Sequence, residues 1–233
     1  MSRRHGLWLV WLVWMVLLGG AVPTVSGCAT KESAQRTEVQ KLQARAAYDR
    51  ALSYLSEKQP APAMTALQEA ISVNPNQAVY RDTLGVVLLE LGRPDMALEH
   101  FQKAVEIDPI YADAYFHMGT ALAEARKWEE AVTAYKKAIS LPTLTIPESA
   151  NQNLGLALYH LKRYQEAEQT LRFAISLEPK LQAAYYNLGL VFVAENRKEE
   201  AKAAFRQATQ LAPDSPVGQA AQDRLKALGE TAK

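Results

Sequence analysis

Small and large apolar positions recur along this chain with a long period, and polar residues fill the places between them. Gly85 superimposes on Gly119, Gly155 and Gly189 at steps of 34, 36 and 34 residues, a spacing that predicts a helix–turn–helix repeat. Two columns of alanine keep the same register: Ala63, Ala97, Ala131, Ala167 and Ala201, then Ala70, Ala104, Ala138, Ala174 and Ala208. Between them stands a large residue each time, namely Leu67, Phe101, Tyr135, Leu171 and Phe205. Pro75, Pro109, Pro179 and Pro213 close four of the copies.

The pattern has a packing logic. Two antiparallel helices approach closely only where side chains are small, so the glycine of a first helix and the alanines of a second mark the contact lines. The large residue fills the gap between the two alanines. Proline then ends each copy, because it cannot donate the next helical hydrogen bond and disfavours helix in the residue before it. No β-branched alternating runs are present, and Ala, Leu, Glu, Lys and Gln abound, so the expectation is an almost entirely helical protein without one central core.

These columns resemble tetratricopeptide repeats over roughly residues 44 to 215. The resemblance implies an all-α solenoid of antiparallel helix hairpins in a right-handed superhelix, with about five repeats and a C-terminal capping helix. The repeats divide as 44–77, 78–111, 112–147, 148–181 and 182–215, with a capping helix and tail over 216–233. The first is the least regular, with Ala51 in the glycine place and Arg50 where Leu84, Met118, Leu154 and Leu188 stand later. The third ends in a two-residue insertion with two prolines, Pro142 to Pro147, which surface loops tolerate at little cost. In the last segment Ala221, Leu225 and Leu228 share one face, and Gly229 supplies a stop.

The start of the chain follows other rules. Arg3 and Arg4 precede twelve unbroken apolar residues, Leu7 to Leu18, fewer than the ~20 of a membrane span, so residues 1–27 read as an export signal. Val25-Ser26-Gly27-Cys28 resembles the bacterial lipobox, which implies cleavage before Cys28 and lipid on its thiol and new amine. An ordinary signal peptide with an incidental cysteine, or an uncleaved anchor, is the other reading. Cys28 is the single cysteine of the chain, and a lone free thiol in an exported protein calls for a partner. Three acyl chains at ~0.8 kcal/mol per buried methylene would anchor the protein firmly. Residues 28–43 then form a tether and the start of the first helix, with Thr30 to Val39 a polar spacer and helix from near Thr37. Ala29-Thr30 lacks the aspartate that favours inner-membrane retention in enteric-type lipoproteins, which implies the periplasmic face of the outer membrane.

Of 26 basic residues Arg3 and Arg4 lie in the signal, leaving 24 against 25 acidic ones. Such balance gives no electrostatic reason to bind nucleic acid. No nucleophile, metal cluster or acid–base pair stands out, so the reading is a non-enzyme with no metal, no small-molecule substrate and no cofactor beyond the lipid on Cys28. His100, His117 and His160 fall at unrelated repeat places and read as surface or inter-helix residues. Glu129-Glu130 and Glu199-Glu200 begin second helices, where negative charge suits the helix dipole.

Binding of a protein partner is the expected use of this shape. In the family, residues three before and one after the glycine point into a concave groove. Those residues here are Tyr48 and Leu52, Asp82 and Val86, Phe116 and Thr120, Gln152 and Leu156, and Tyr186 and Leu190. Lysine and asparagine, which clamp peptide carboxylates in the family, are absent from them, and the aromatics imply an apolar or amphipathic segment of the partner. The alternative is that Tyr48, Phe116 and Tyr186 pack within the array. The lipobox, the tether, the repeats and Leu144-Thr145-Ile146-Pro147-Glu148 leading into Asn153-Leu154-Gly155-Leu156 resemble type IV pilus lipoproteins of the PilF/PilW type. That resemblance implies a pilotin for an outer-membrane secretin; a general periplasmic adaptor for envelope or cell-wall enzymes is the second reading.

Overall fold

Each glycine of the repeat column lies directly against the large residue of its own second helix. A methyl group built on Gly85 would sit 2.5 Å from Cε1 of Phe101, and one on Gly119 would sit 2.7 Å from the Tyr135 ring. Gly155 faces Leu171 and Gly189 faces Phe205 at 2.5 Å in the same way. Side chains this close leave no room for a β-carbon, so the hairpins close only because the column is glycine.

The computed structural model describes residues 25–230, in which the elements are α1 (Val25–Ser56), α2 (Pro60–Val73), α3 (Ala78–Glu90), α4 (Pro94–Ile107), α5 (Ala112–Glu124), α6 (Trp128–Ile139), α7 (Pro147–His160), α8 (Tyr164–Leu177), α9 (Gln182–Ala194), α10 (Lys198–Leu211) and α11 (Pro216–Ala227). No strand occurs among the described residues. The apolar run Leu7 to Leu18 lies outside them.

The chain divides into two compact units, one up to Leu42 and one from Gln43 onward. Of the first, residues 25–42 belong to α1, and the side chains from 34 to 42 are all exposed. The expected spacer over Thr30 to Val39 is therefore helical. Its composition accounts for the difference: no glycine or proline interrupts residues 28–59, and Ala, Glu, Gln, Lys and Arg dominate, so propensity carries a helix that has no apolar stripe. Lys41 pairs with Glu38 three residues away at 2.7 Å, a spacing that supports the helix further.

In the second unit, α3 packs on α4, α5 on α6, α7 on α8 and α9 on α10, and each second helix also packs on the first helix that follows it. The alanine columns supply those contacts: Ala63, Ala97, Ala131, Ala167 and Ala201 are fully buried, as are Ala70, Ala104, Ala138, Ala174 and Ala208. In the first repeat the glycine place is filled by Ala51, which is also fully buried, while Arg50 crosses to Glu69 of α2 at 2.5 Å.

The first helices turn into the second through residues in the left-handed region, Lys58, Arg126, Lys162 and Asn196 at φ between 57° and 60°, with Gly92 at 70°. The inserted loop before α7 is pinned back onto the previous junction. Thr143 Oγ1 donates to the Ile110 carbonyl at 2.8 Å, and the Thr145 backbone N–H and hydroxyl both donate to Asp113 at 3.1 Å. At the far end α11 buries Ala221 and Leu225 against the array, and Gly229 at φ 79° ends it.

Candidate functional site

The first helices carry the candidate site on the stripe beside the glycine column. Residues one and four places after each glycine share this stripe, since positions three apart lie together on a helix. Consecutive first helices also touch one another, α3 on α5, α5 on α7 and α7 on α9, so their stripes join into one face.

The ten expected groove residues divide on this face. Leu52 is 42% exposed, and Val86, Thr120, Leu156 and Leu190 are half-buried, so the place after the glycine is open along the array. Three places before it the pattern fails. Asp82 is 4% exposed and Phe116 9%, so neither offers a surface to a partner. Phe116 packs its ring 5.9 Å from that of Tyr135, and the half-buried Tyr186 packs 5.6 Å from Phe205. Tyr48 lies 4.8 Å from Tyr80, with its hydroxyl 3.2 Å from Thr83 Oγ1. The aromatics thus pack within the array, each against a ring of another helix. Gln152 is half-buried and remains on the face.

The accessible apolar stripe lies instead at the places after the glycine. Leu52 and the half-buried Leu55, Val86 and Leu89, Leu156 and Tyr159, and Leu190 with the 41% exposed Val193 run along it. The third repeat interrupts it with Thr120 and Ala123. Leu55, Leu89 and Val193 were not singled out from sequence, although their place three residues after Leu52, Val86 and Leu190 was the available signal.

A polar cluster that the sequence reading also missed joins repeats two and three. Asp82 accepts from the Tyr111 hydroxyl at 3.1 Å through one oxygen and meets His117 Nδ1 at 2.8 Å through the other. Burial, with the carboxylate of Asp82 beside it, pushes the Tyr111 phenol well above its ordinary range. The carboxylate is buried but satisfied on both sides, and it ties α3 to α5. His117 is thereby an inter-helix residue. His160 stacks on Trp128 with ring centroids 4.0 Å apart, and burial next to Arg126 lowers its pKa. Nδ1 of His100 is buried without a hydrogen-bond partner among the described residues, and burial lowers that imidazole's pKa too.

Among the described residues no group of three or more His, Cys, Asp and Glu is arranged to hold a metal ion. Glu129-Glu130 and Glu199-Glu200 stand in the first turns of α6 and α10. Cys28 lies on the backbone of α1.

Tetratricopeptide repeat family models match residues 44–77 and 182–215, 83–111, and 116–180, most of the region from 44 to 215. No curated protein matches the chain in sequence. Among solved structures, that of MamA is 25% identical and covers 69% of this chain and 93% of its own, with a TM-score of 0.63. PilW, a widely conserved type IV pilus biogenesis factor, is 18% identical over 79% of this chain and 92% of its own, at 0.66. Pseudomonas aeruginosa PilF is 21% identical over 81% and 93%, also at 0.66.

Proposed function

Because the chain belongs to the tetratricopeptide repeat family, whose members serve as protein-interaction scaffolds, we propose that it is a lipid-anchored pilotin. In this reading Cys28 holds it to the outer membrane, and the first-helix face receives an apolar or amphipathic segment of a type IV pilus secretin and promotes the ring's assembly. The observation that carries the binding part is the apolar stripe of Leu52, Val86, Leu89, Leu156, Leu190 and Val193, continuous in character on both sides of Thr120. Burial of one such side chain contributes ~1.5–3 kcal/mol, so a few of them suffice for a specific complex. The lipobox ending at Cys28 supports the anchoring part, and the likeness in fold to PilW and PilF supports the choice of partner.

Deleting the gene and running a gel for heat-resistant secretin multimers tests the reading. Loss of the multimers, restored by the wild-type chain and not by a folded variant with Leu156 and Leu190 changed to serine, is the expected result. Multimers that persist undiminished would overturn it. Replacing Cys28 with serine should release the chain from membranes and abolish lipid labelling. The second reading, a periplasmic adaptor for envelope enzymes, would use the same apolar face. Co-purification of cell-wall hydrolases, with secretin assembly intact, would favour it.

A further inference from the structure

The stripe beside the glycine column recurs at a distance that selects the shape of what lies on it. Packed helices stand ~10 Å apart, so the stripes of the five first helices succeed one another about every 10 Å. An extended chain places same-face residues at multiples of ~7 Å and matches no two successive stripes. A helix advances ~10.5 Å in seven residues and returns to the same face within about 20°. Four intervals therefore take about 28 residues of helix laid across the array, with one contact in each heptad.

The third repeat, at the middle, breaks the apolar series. Thr120 and Ala123 stand where its neighbours have Val86 and Leu89, and Leu156 and Tyr159, so the smaller side chains open a gap in the stripe. Glu124, four residues after Thr120 and on the same side of α5, is exposed and enters no ion pair among the described residues. It lies close to the Tyr135 phenol, which donates to Thr120 Oγ1 at 3.3 Å; burial first, and this carboxylate in addition, raise that phenol's pKa. Cations from the turns serve other places. Lys58 and Glu90 line one cavity, and Arg126 lies near enough to His160 to add to the lowering of its pKa by burial. Lys127 lines the cavity between α4 and α6. The same register that puts Lys58 by Glu90 puts Gly92 by Glu124. Moreover α3, α5, α7 and α9 hold a single lysine or arginine, Arg81, whose Nε donates to the Pro75 carbonyl at 3.4 Å. The Glu124 carboxylate is thus an unmatched charge at the centre of an apolar stripe.

We propose that the first-helix face takes an amphipathic helix whose apolar side repeats every seven residues and whose central heptad carries a lysine or arginine that pairs with Glu124. It rests on the reading of that face as the partner-binding surface, and it fixes the partner's shape and charge. The stem of the basic residue lies in the gap left by Thr120 and Ala123, and its head reaches the carboxylate at the edge of the groove. The third repeat is central among five, so the pairing forms whichever way the partner helix runs.

The probe is a fluorescent peptide of about 35 residues, mostly alanine and glutamine, with leucines in its four outer heptads and a lysine in the central one. Anisotropy reads its binding to the chain from residue 28 onward with Cys28 replaced by serine, which keeps the whole compact unit that begins at Gln43. Glutamate in place of the peptide's lysine should weaken binding about tenfold at low salt, and added salt should shrink the difference. Glu124→Lys, on an exposed position, should reverse the order of the two peptides. The same leucines at a spacing of five residues should bind at least tenfold more weakly, and Leu156→Ser with Leu190→Ser should weaken both heptad peptides. A chain that binds neither peptide or treats them alike, an order that Glu124→Lys leaves unchanged, or equal binding at the five-residue spacing would overturn the proposal. Circular dichroism of each variant confirms its fold, and the exchange made in the peptide needs no variant at all. The secretin gel answers separately: multimers that persist without the gene would remove the pilus partner and leave the peptide result standing.

Discussion

Single atoms decide the packing at the glycine column. A β-carbon at Gly85 would lie 2.5 Å from one Phe101 ring atom and 2.8 Å from two others, and a ring held in a fully buried site has little freedom to retreat. Gly85→Ala should therefore cost ~1–3 kcal/mol, against the slight gain that alanine brings in an open helix. Urea unfolding reads the difference, and equal stability would mean that the ring moves freely. Tyr135 makes a second test at this scale. Its phenol donates to Thr120 Oγ1 at 3.3 Å, and burial pushes its pKa up to about 12. A raised folded-state value means that the contribution to stability is complete below the unfolded value near 10. It is lost as pH rises toward about 12, because the unfolded chain releases its proton first. The full loss amounts to a few kcal/mol. Unfolding midpoints should drop as pH rises from about 10 toward about 12, and Tyr135→Phe should lessen that drop while costing ~1 kcal/mol at pH 7. Tyr111 and Tyr80, raised in the same direction, keep the rest of the slope.

Helices of this array end and begin with few side-chain caps, and α10 and α11 show what replaces them. Gln182 at the start of α9 donates to the carbonyls of Ala208 and Ala212 at 2.6 and 2.9 Å, and its own carbonyl accepts from the Ser215 hydroxyl at 2.8 Å. Ser215 Oγ in turn accepts from the Gly218 backbone at 3.0 Å. One amide thus satisfies the end of α10, where Pro213 has no N–H to offer, and orients the cap of α11. Gln182→Ala should cost ~1–2 kcal/mol and raise hydrogen exchange in α11 before other helices; exchange unchanged in α11 would sever the two. The columns made the hairpins legible in the sequence, because a contact repeated at a fixed period leaves the same residue type each time. The Gln182 cap, the Asp82 cluster and the Thr145 contact to Asp113 each occur once and join residues 26 to 35 apart in the chain. A single pair of polar residues at such a distance leaves no period to read. The same holds for the binding face: Val86 and Leu190 follow from the column, whereas the burial of Asp82 and Phe116 depends on Tyr111, His117 and Tyr135 from other helices. The helix over residues 25–36 was missed for the opposite reason, since its signal is propensity without any period.

At the scale of the whole array, stability passes from neighbour to neighbour, since each helix in the second unit packs on those before and after it and no common core gathers them. The last helix has a neighbour on one side only. α11 contributes Ala221 and Leu225 to the cluster that holds Val191, Phe205 and Ala208, and Arg206 of α10 is held by Glu230 beyond its end at 2.6 Å. Exposed ion pairs of that kind add at most ~1 kcal/mol, so the apolar contacts dominate. Removing residues 216–233 would uncover apolar surface on α9 and α10 that every inner repeat keeps covered. At ~1.5–3 kcal/mol for each large side chain returned to water, the fifth repeat should lose most of its stability. In a nearest-neighbour array this loss fades with distance, so α3 to α6 should keep their exchange protection while α9 and α10 lose theirs. Hydrogen exchange followed helix by helix distinguishes the outcomes. A loss of protection equal in α3 and α10 would show that the repeats unfold as one unit, and the nearest-neighbour account would then fail.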